Sequence, residues 1–77
     1  MWYVYVLKNK WEKLYIGYSS DLKRRVAEHN REHPGYKLVY YEAYNESELA
    51  SKREYDLKKF GGAWRSLRKR ILSERAG

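Results

Sequence analysis

Five side chains of types that act on phosphate esters stand out in this chain. Tyr5 and Tyr15 each lie in a short apolar run, Arg25 and His29 are one helical turn apart, and Glu54 falls inside an apolar stripe. Phosphodiester hydrolysis can use all of them. It needs a base for the attacking water, cationic stabilisation of the charge that builds on the phosphate, and commonly a divalent metal to hold the phosphate and the leaving oxygen. Arg25 suits the second task, because a planar guanidinium binds two phosphate oxygens at once. Glu54 suits the third as a hard oxygen ligand for Mg²⁺, which takes few carboxylates and fills its octahedron with water and substrate. A tyrosine accepts a proton only if its pKa, about 10, is lowered by the metal or by Arg25.

Each of these residues also has a structural explanation. Tyr5 and Tyr15 can be sheet packing, Arg25 and Glu54 one ion pair between two helices, and His29 a satisfied helix histidine. Asn30 then reads as a helix C-terminal cap and Glu42 as an exposed strand residue. Composition and periodicity alone reach a basic α/β domain with an anion site.

The elements that must position these residues are legible in the pattern. Residues 2–7 alternate Trp2, Val4 and Val6 against Tyr3, Tyr5 and Leu7, a strand with both faces partly covered. A polar break at Asn9 to Glu12 leads to a second apolar run, residues 14–18, so an antiparallel hairpin is expected, with Tyr5 and Tyr15 on one face. Ser19 or Ser20 serves as N-cap, with Asp21 in the first turn, for a helix along which Leu22, Val26 and His29 recur at helical spacing. Pro34 and Gly35 end that segment, and residues 38–44 form the third strand. Asn45 followed by Glu48 resembles a capping box and opens a second helix, with Leu49, Ala50, Leu57 and Phe60 inward, until Gly61 and Gly62 interrupt it. Glu54 lies in that stripe and needs a partner, because an isolated buried charge is costly. Trp64, Leu67 and Ile71 define a third helix, with Arg65, Lys69 and Arg70 on its outer surface and Arg68 nearer the stripe.

The expectation is therefore a small three-stranded antiparallel sheet flanked by helices, of α+β type, in the order β-β-α-β-α-α, with residues 1–77 as a single domain. A chain of 77 residues has no room for a second one. Its 43% hydrophobic and 17% aromatic content is enough for a core and argues against wholesale disorder. Seventeen Lys and Arg against ten Asp and Glu leave a charge of +7, which favours a polyanionic partner. No apolar run is long enough for a membrane span, so no membrane partner is expected. The lack of Cys removes disulfides and thiolate metal sites, and with no signal-peptide pattern a cytoplasmic setting is the default.

Taken together the motifs resemble one family. Tyr3-Val4-Tyr5, Tyr15-Ile16-Gly17, Arg25-x-x-x-His29-Asn30 and Lys52-Arg53-Glu54-Tyr55 followed by Leu57-Lys58-Lys59 are similar to the GIY-YIG nucleases, most closely the short stand-alone bacterial ones. The resemblance spans nearly the whole chain in the family's order. It implies a small α/β core that cuts DNA with one divalent ion, Mg²⁺ or Mn²⁺. Tyr5 and Tyr15 then match catalytic tyrosines, Arg25 the catalytic arginine, His29 the histidine one turn later, and Glu54 the metal-binding glutamate. Gly17 matches the glycine closing the second triplet, where a side chain would crowd the turn into the helix. Lys58 matches a basic position suited to a nucleic-acid backbone contact. Three departures stand out: Tyr3 replaces the glycine of the first triplet, the connection from Asn30 to Leu38 lacks a Thr- and Arg-rich segment, and no asparagine counterpart follows Glu54.

Three functional readings follow from these residues. The first is a metal-dependent endonuclease acting on DNA, selective for structure or strand rather than sequence, and working as a monomer or weak homodimer. In it Arg25 stabilises the scissile phosphate, Glu54 holds the metal, and Tyr5, with Tyr15 or His29, positions or deprotonates water. The alternative is a non-catalytic nucleic-acid-binding module, in which Arg65, Arg68, Lys69 and Arg70 matter more than Glu54. A third reading gives the basic surface an acidic protein partner.

Overall fold

Side chains that alternate along an extended segment can bury two faces at once, and the most apolar segment of this chain takes the centre of its sheet. In the computed structural model, which describes residues 1–76, strand β1 (Trp2–Lys8) pairs antiparallel with β2 (Leu14–Ser19) on one side and with β3 (Lys37–Tyr44) on the other. The strand order is β2-β1-β3. Helix α1 (Leu22–Glu32) connects β2 to β3, and α2 (Ser47–Lys59) and α3 (Gly61–Ala76) complete the expected order. Among the described residues no helix is long and apolar enough to cross a membrane.

The register assigns the two faces. Val4 opposes Tyr18 and Glu42, and Val6 opposes Ile16 and Tyr40. On this face the buried side chains Val4, Val6 and Ile16 meet Ala50 and Leu57 of α2 and Leu67 and Ile71 of α3. Each large aliphatic side chain buried here stabilises the fold by about 1.5–3 kcal/mol. The other face carries Tyr3, Tyr5 and Leu7 in β1, with Tyr15 and Gly17 in β2 and Tyr41 in β3. Helix α1 covers it with half-buried Leu22 and Val26 and has no fully buried residue, so open cavities flank it. In β3 the pairing shifts between Val6 and Leu7, leaving Val39 as the extra residue of a bulge that packs toward the core.

Several local details depart from the pattern-based expectation. The N-cap of α1 is Asp21 rather than either serine: its carboxylate accepts from the Arg24 backbone N–H at 3.1 Å, while Ser19 Oγ accepts from the Asp21 N–H at 3.0 Å. Both serines and the aspartate are good caps, and the turn decides among them. Helix α2 is capped at Glu46 with no side-chain cap hydrogen bond, so Asn45 and Glu48 form no capping box. Leu49 and Phe60 are exposed, because Ala50 and Leu57, two turns apart, set the helix's inward line and leave these two off it. Asn30 does not cap α1; it reaches back to the Val26 carbonyl (3.2 Å) and exchanges two hydrogen bonds with the Tyr36 backbone (2.8 and 2.9 Å). That bridge ties the end of α1 to the start of β3, with Gly35 at φ +99° in the turn between.

Glu42 is a further correction. It lies on the core face of β3 and accepts from Tyr40 Oη (2.5 Å), Tyr44 Oη (2.6 Å) and the Arg53 fork (2.9 and 3.0 Å). Burial alone would push its carboxyl up. The hydrogen bonds from Arg53, Tyr40 and Tyr44 outweigh that effect and hold it at about 2.

Candidate active site

The β1–β2 register builds the floor of the site. Tyr5 stands opposite Gly17 and Leu7 opposite Tyr15, so the two tyrosines share a face, diagonal to one another. Tyr5 is buried and its ring lies across position 17. An ideal Cβ there would fall 2.6 Å from Tyr5 Cζ and closer still to the hydroxyl, which only glycine permits. Burial pushes the Tyr5 hydroxyl up from its ordinary value, and Arg25, set against it, only partly offsets this. A phenol in that state is neutral near pH 7 and a hydrogen-bond donor, so Arg25 alone does not meet the condition set above for a tyrosine to act as a base.

Helix α1 supplies the wall. Its capped start and the one-turn spacing aim Arg25 and His29 at Tyr15, and with Glu28, Glu32 and His33 they line a cavity of about 340 Å³. The Arg25 guanidinium is held by Glu28 (3.1 Å) and lies beside the Tyr5 hydroxyl, so its pKa is raised further by both. His29 is enclosed by rings, with centroids 4.3 Å from Tyr15, 4.6 Å from Tyr36 and 5.2 Å from His33. Its Nε2 is buried without a hydrogen-bond partner, so it is not the satisfied helix histidine that the pattern also allowed. Burial, with His33 nearby, lowers the His29 pKa and keeps the ring neutral.

Helix α2 closes the other side. Glu54 is partly buried, pairs with Lys58 one turn on (3.4 Å), and its charge reaches the Tyr5 hydroxyl. Arg25 therefore pairs with Glu28 and Glu54 with Lys58, and neither forms the interhelical ion pair considered above. Lys58 and Tyr15, with Leu14, Ile16, Leu57 and Trp64, line a second cavity of about 340 Å³ along β2. Tyr15, 37% exposed, is thus the shared wall between the α1 side and the α2 side.

The donor set fits a hard cation better than a soft one. Among the described residues no three His, Asp or Glu side chains gather into a metal cluster. A single, partly buried carboxylate matches Mg²⁺, which takes few carboxylates and fills its shell with water and substrate oxygens, and does not match a closed zinc site.

Lys58 apart, the cations proposed for nucleic-acid contact lie elsewhere. Arg65, Arg68, Lys69 and Arg70 are all exposed on α3, which docks on α2. Arg70, exposed as expected, is also close enough to Tyr40 for its charge to act there. Sequence reading missed Glu28, His33 and Tyr36 as the groups that set Arg25 and His29. Glu28 and His33 were findable at helical spacing from them, whereas Tyr36 arrives through the turn that Asn30 braces.

The comparisons with known proteins agree with this architecture. Residues 1–68 match the family model described as the GIY-YIG catalytic domain. A UPF0213 protein of Clostridium perfringens is 40% identical over 74% of this chain and 70% of its own length. One from Staphylococcus saprophyticus is 32% identical over 94% of each. The solution NMR structure of a UPF0213 protein from Bacillus halodurans superimposes with a TM-score of 0.58 at 28% identity, covering 100% of this chain and 88% of that one. With the family model spanning most of its length and the sheet and helix order in place, the chain belongs to the GIY-YIG family of nucleases.

Proposed function

We propose that this protein is a divalent-metal-dependent endonuclease that hydrolyses DNA phosphodiester bonds, selecting strand or structure rather than sequence. The observation that carries it is the position of Tyr15 between two groups: Arg25 and His29 on the α1 side, Lys58 with Glu54 on the α2 side. The scissile phosphate sits over Tyr15 and Gly17, where the Arg25 fork binds its oxygens and takes up the charge that develops on them. Tyr5, neutral and beside Arg25, donates a hydrogen bond to the same group. Tyr15 meets the attacking water, and neutral His29 behind its ring fixes it in place. Glu54 would hold one Mg²⁺ or Mn²⁺, which supplies Lewis acidity toward the phosphate and leaving oxygens. Lys58 and the α3 cations Arg65, Arg68, Lys69 and Arg70 hold the flanking backbone. The protein acts as a monomer or weak homodimer, in a cytoplasmic setting.

Nicking of supercoiled plasmid, branched DNA and single strands in the presence of Mg²⁺ or Mn²⁺ tests this reading. Glu54→Ala is expected to lower the rate by on the order of a hundredfold or more, since several kcal/mol of charge stabilisation is lost. Absence of metal-dependent cleavage that Glu54→Ala removes leaves the non-catalytic binding module in its place. That module predicts nucleic-acid affinity indifferent to Glu54→Ala and weakened by charge reversal on α3.

A further inference from the structure

A cavity of about 560 Å³ opens on the face of the sheet that α2 covers. Its walls are aromatic: Trp2 from β1, Tyr18 from β2 and Tyr55 from α2. The Trp2 and Tyr18 rings are 6.1 Å apart and inclined by 39°, neither stacked face to face nor edge-on. Tyr55 is 56% exposed and Tyr18 37%. In a chain with so small a core, aromatic surface left facing one cavity marks a binding surface. The rim is polar, with Ser47, Ser51 and Lys52, and Glu48 beside Ser47.

We propose that this slot receives an unpaired nucleobase of the strand whose phosphate is cleaved. The proposal rests on the reading of the neighbouring site as a phosphodiester site and names the substrate class it takes. Continuity is one argument: the slot and the phosphate position lie on opposite faces of β2, but β2 is an edge strand of the sheet and the cavity lined by Tyr15, Ile16 and Lys58 runs along it, so a nucleic-acid strand can round that edge from one to the other. Chemistry is the other. Every base has a flat π-face that stacks on Tyr or Trp, while hydroxyls and a carboxylate at the rim can meet the polar edge of the base. Lys52, though paired with Asp56 at 2.8 Å, and the chain's +7 charge suit a phosphate backbone at the mouth. A base held in a duplex keeps its faces against its neighbours, so the slot admits a single strand, a flap or a frayed end. The other aromatic pair lining a cavity, half-buried Tyr3 and exposed Tyr41, is a poorer platform. Those rings meet edge to face at 5.9 Å and 68°, and their cavity lies against Leu22, Lys23 and Val26, the flank of α1 opposite the one facing Tyr15.

The test is fluorescence anisotropy with the full chain in EDTA, using a labelled oligothymidylate and a duplex of the same length. Tyr55→Ala and Tyr18→Ala are expected to bind the single strand about tenfold more weakly, the share of one stacked base, and Tyr55→Phe to bind as the wild type does. Duplex binding stays unchanged in all of them. Unaltered single-strand binding in both alanine variants, an equal loss on single strand and duplex, or no single-strand binding by the wild type overturns the proposal. If thermal melting shows Tyr18→Ala to be poorly folded, the exposed position 55 decides alone through its alanine and phenylalanine variants. Failure here is separable from failure of the nuclease reading: metal-dependent nicking that Glu54→Ala removes, with Tyr55→Ala binding normally, sinks only the slot. Base binding without any cleavage sinks only the nuclease.

Discussion

Tyr5 lies across the backbone of Gly17, its antiparallel partner, so closely that a β-carbon at position 17 would overlap the end of the phenol. The glycine is therefore part of the geometry of the proposed site as well as of the strand. Gly17→Ala is expected to destabilise the protein by about 1–3 kcal/mol, the usual range for overpacking, because Tyr5 has no free space into which to retreat. Denaturant unfolding measures that loss. Nicking activity per folded molecule should fall further, since the phenol is displaced from Arg25.

Arg25 is exposed and held by Glu28, so its removal should cost little stability, within about 0.5 kcal/mol. Cleavage should respond strongly: Arg25→Ala is expected to lower kcat by on the order of a hundredfold or more, and Arg25→Lys to recover only part, because an ammonium lacks the two-pronged fork. Arg25 also lowers the Tyr5 pKa, so UV titration of Arg25→Ala should place the Tyr5 midpoint higher than in the wild type.

Glu42 offers a test of stability alone. Its carboxyl is depressed from 4.5 to about 2 in the folded protein, so on acidification the unfolded chain takes up the proton first. The stabilisation is complete above pH 4.5 and is lost between 4.5 and about 2; the gap corresponds to about 3 kcal/mol. Unfolding free energy measured against pH should show this slope in the wild type and lose it in Glu42→Gln. That variant should be less stable near neutrality, with Arg53 left short of its partner.

His29 titrates in a different window. Burial and the neighbouring His33 depress its pKa, outweighing Glu32, so as pH falls below 6.5 the unfolded chain protonates before the folded one. Stability contributed by keeping the ring neutral is present above 6.5 and declines below it. His29→Gln should flatten that part of the profile, and an NMR titration of the His29 ring should give a midpoint below 6.5.

Phosphate contacts by α3 have a salt signature. If Arg65 and Lys69 each neutralise one phosphate, replacing either with Ala should reduce the slope of log affinity against log salt by about 0.9 on duplex DNA. Affinity should fall alike for unrelated sequences, as measured by anisotropy titrations at several salt concentrations.

The order of elements was readable because alternation and helical spacing act over a few residues, and each segment here keeps one period throughout. Residues 2–7 and 14–18 read as strands, and they are. That Tyr5 and Tyr15 share a face was expected from a short hairpin, and the β1–β2 register, which a sequence leaves open, puts them there. The misreadings involve distant partners. Glu42 looked exposed because Arg53 lies eleven residues away on another element. Leu49 and Phe60 looked inward because a helical stripe leaves its own rotation undefined until Ala50 and Leu57 meet the sheet. The cap of α1 was ambiguous because Ser19, Ser20 and Asp21 are adjacent and chemically equivalent for that role.

By itself the sequence determined the basic charge, the succession of strands and helices, and the set of tyrosines, arginine, histidine and glutamate with their spacings. Only the tertiary structure decided that Tyr5 folds over Gly17, that Arg25 answers to Glu28 and Glu54 to Lys58, and that His29 is sealed among rings with a free Nε2. The physical reason is one of range. Dihedral preference and hydrophobic period are properties of a local segment, whereas strand register, helix rotation and the pairing of partly buried charges emerge from side chains packing across segments.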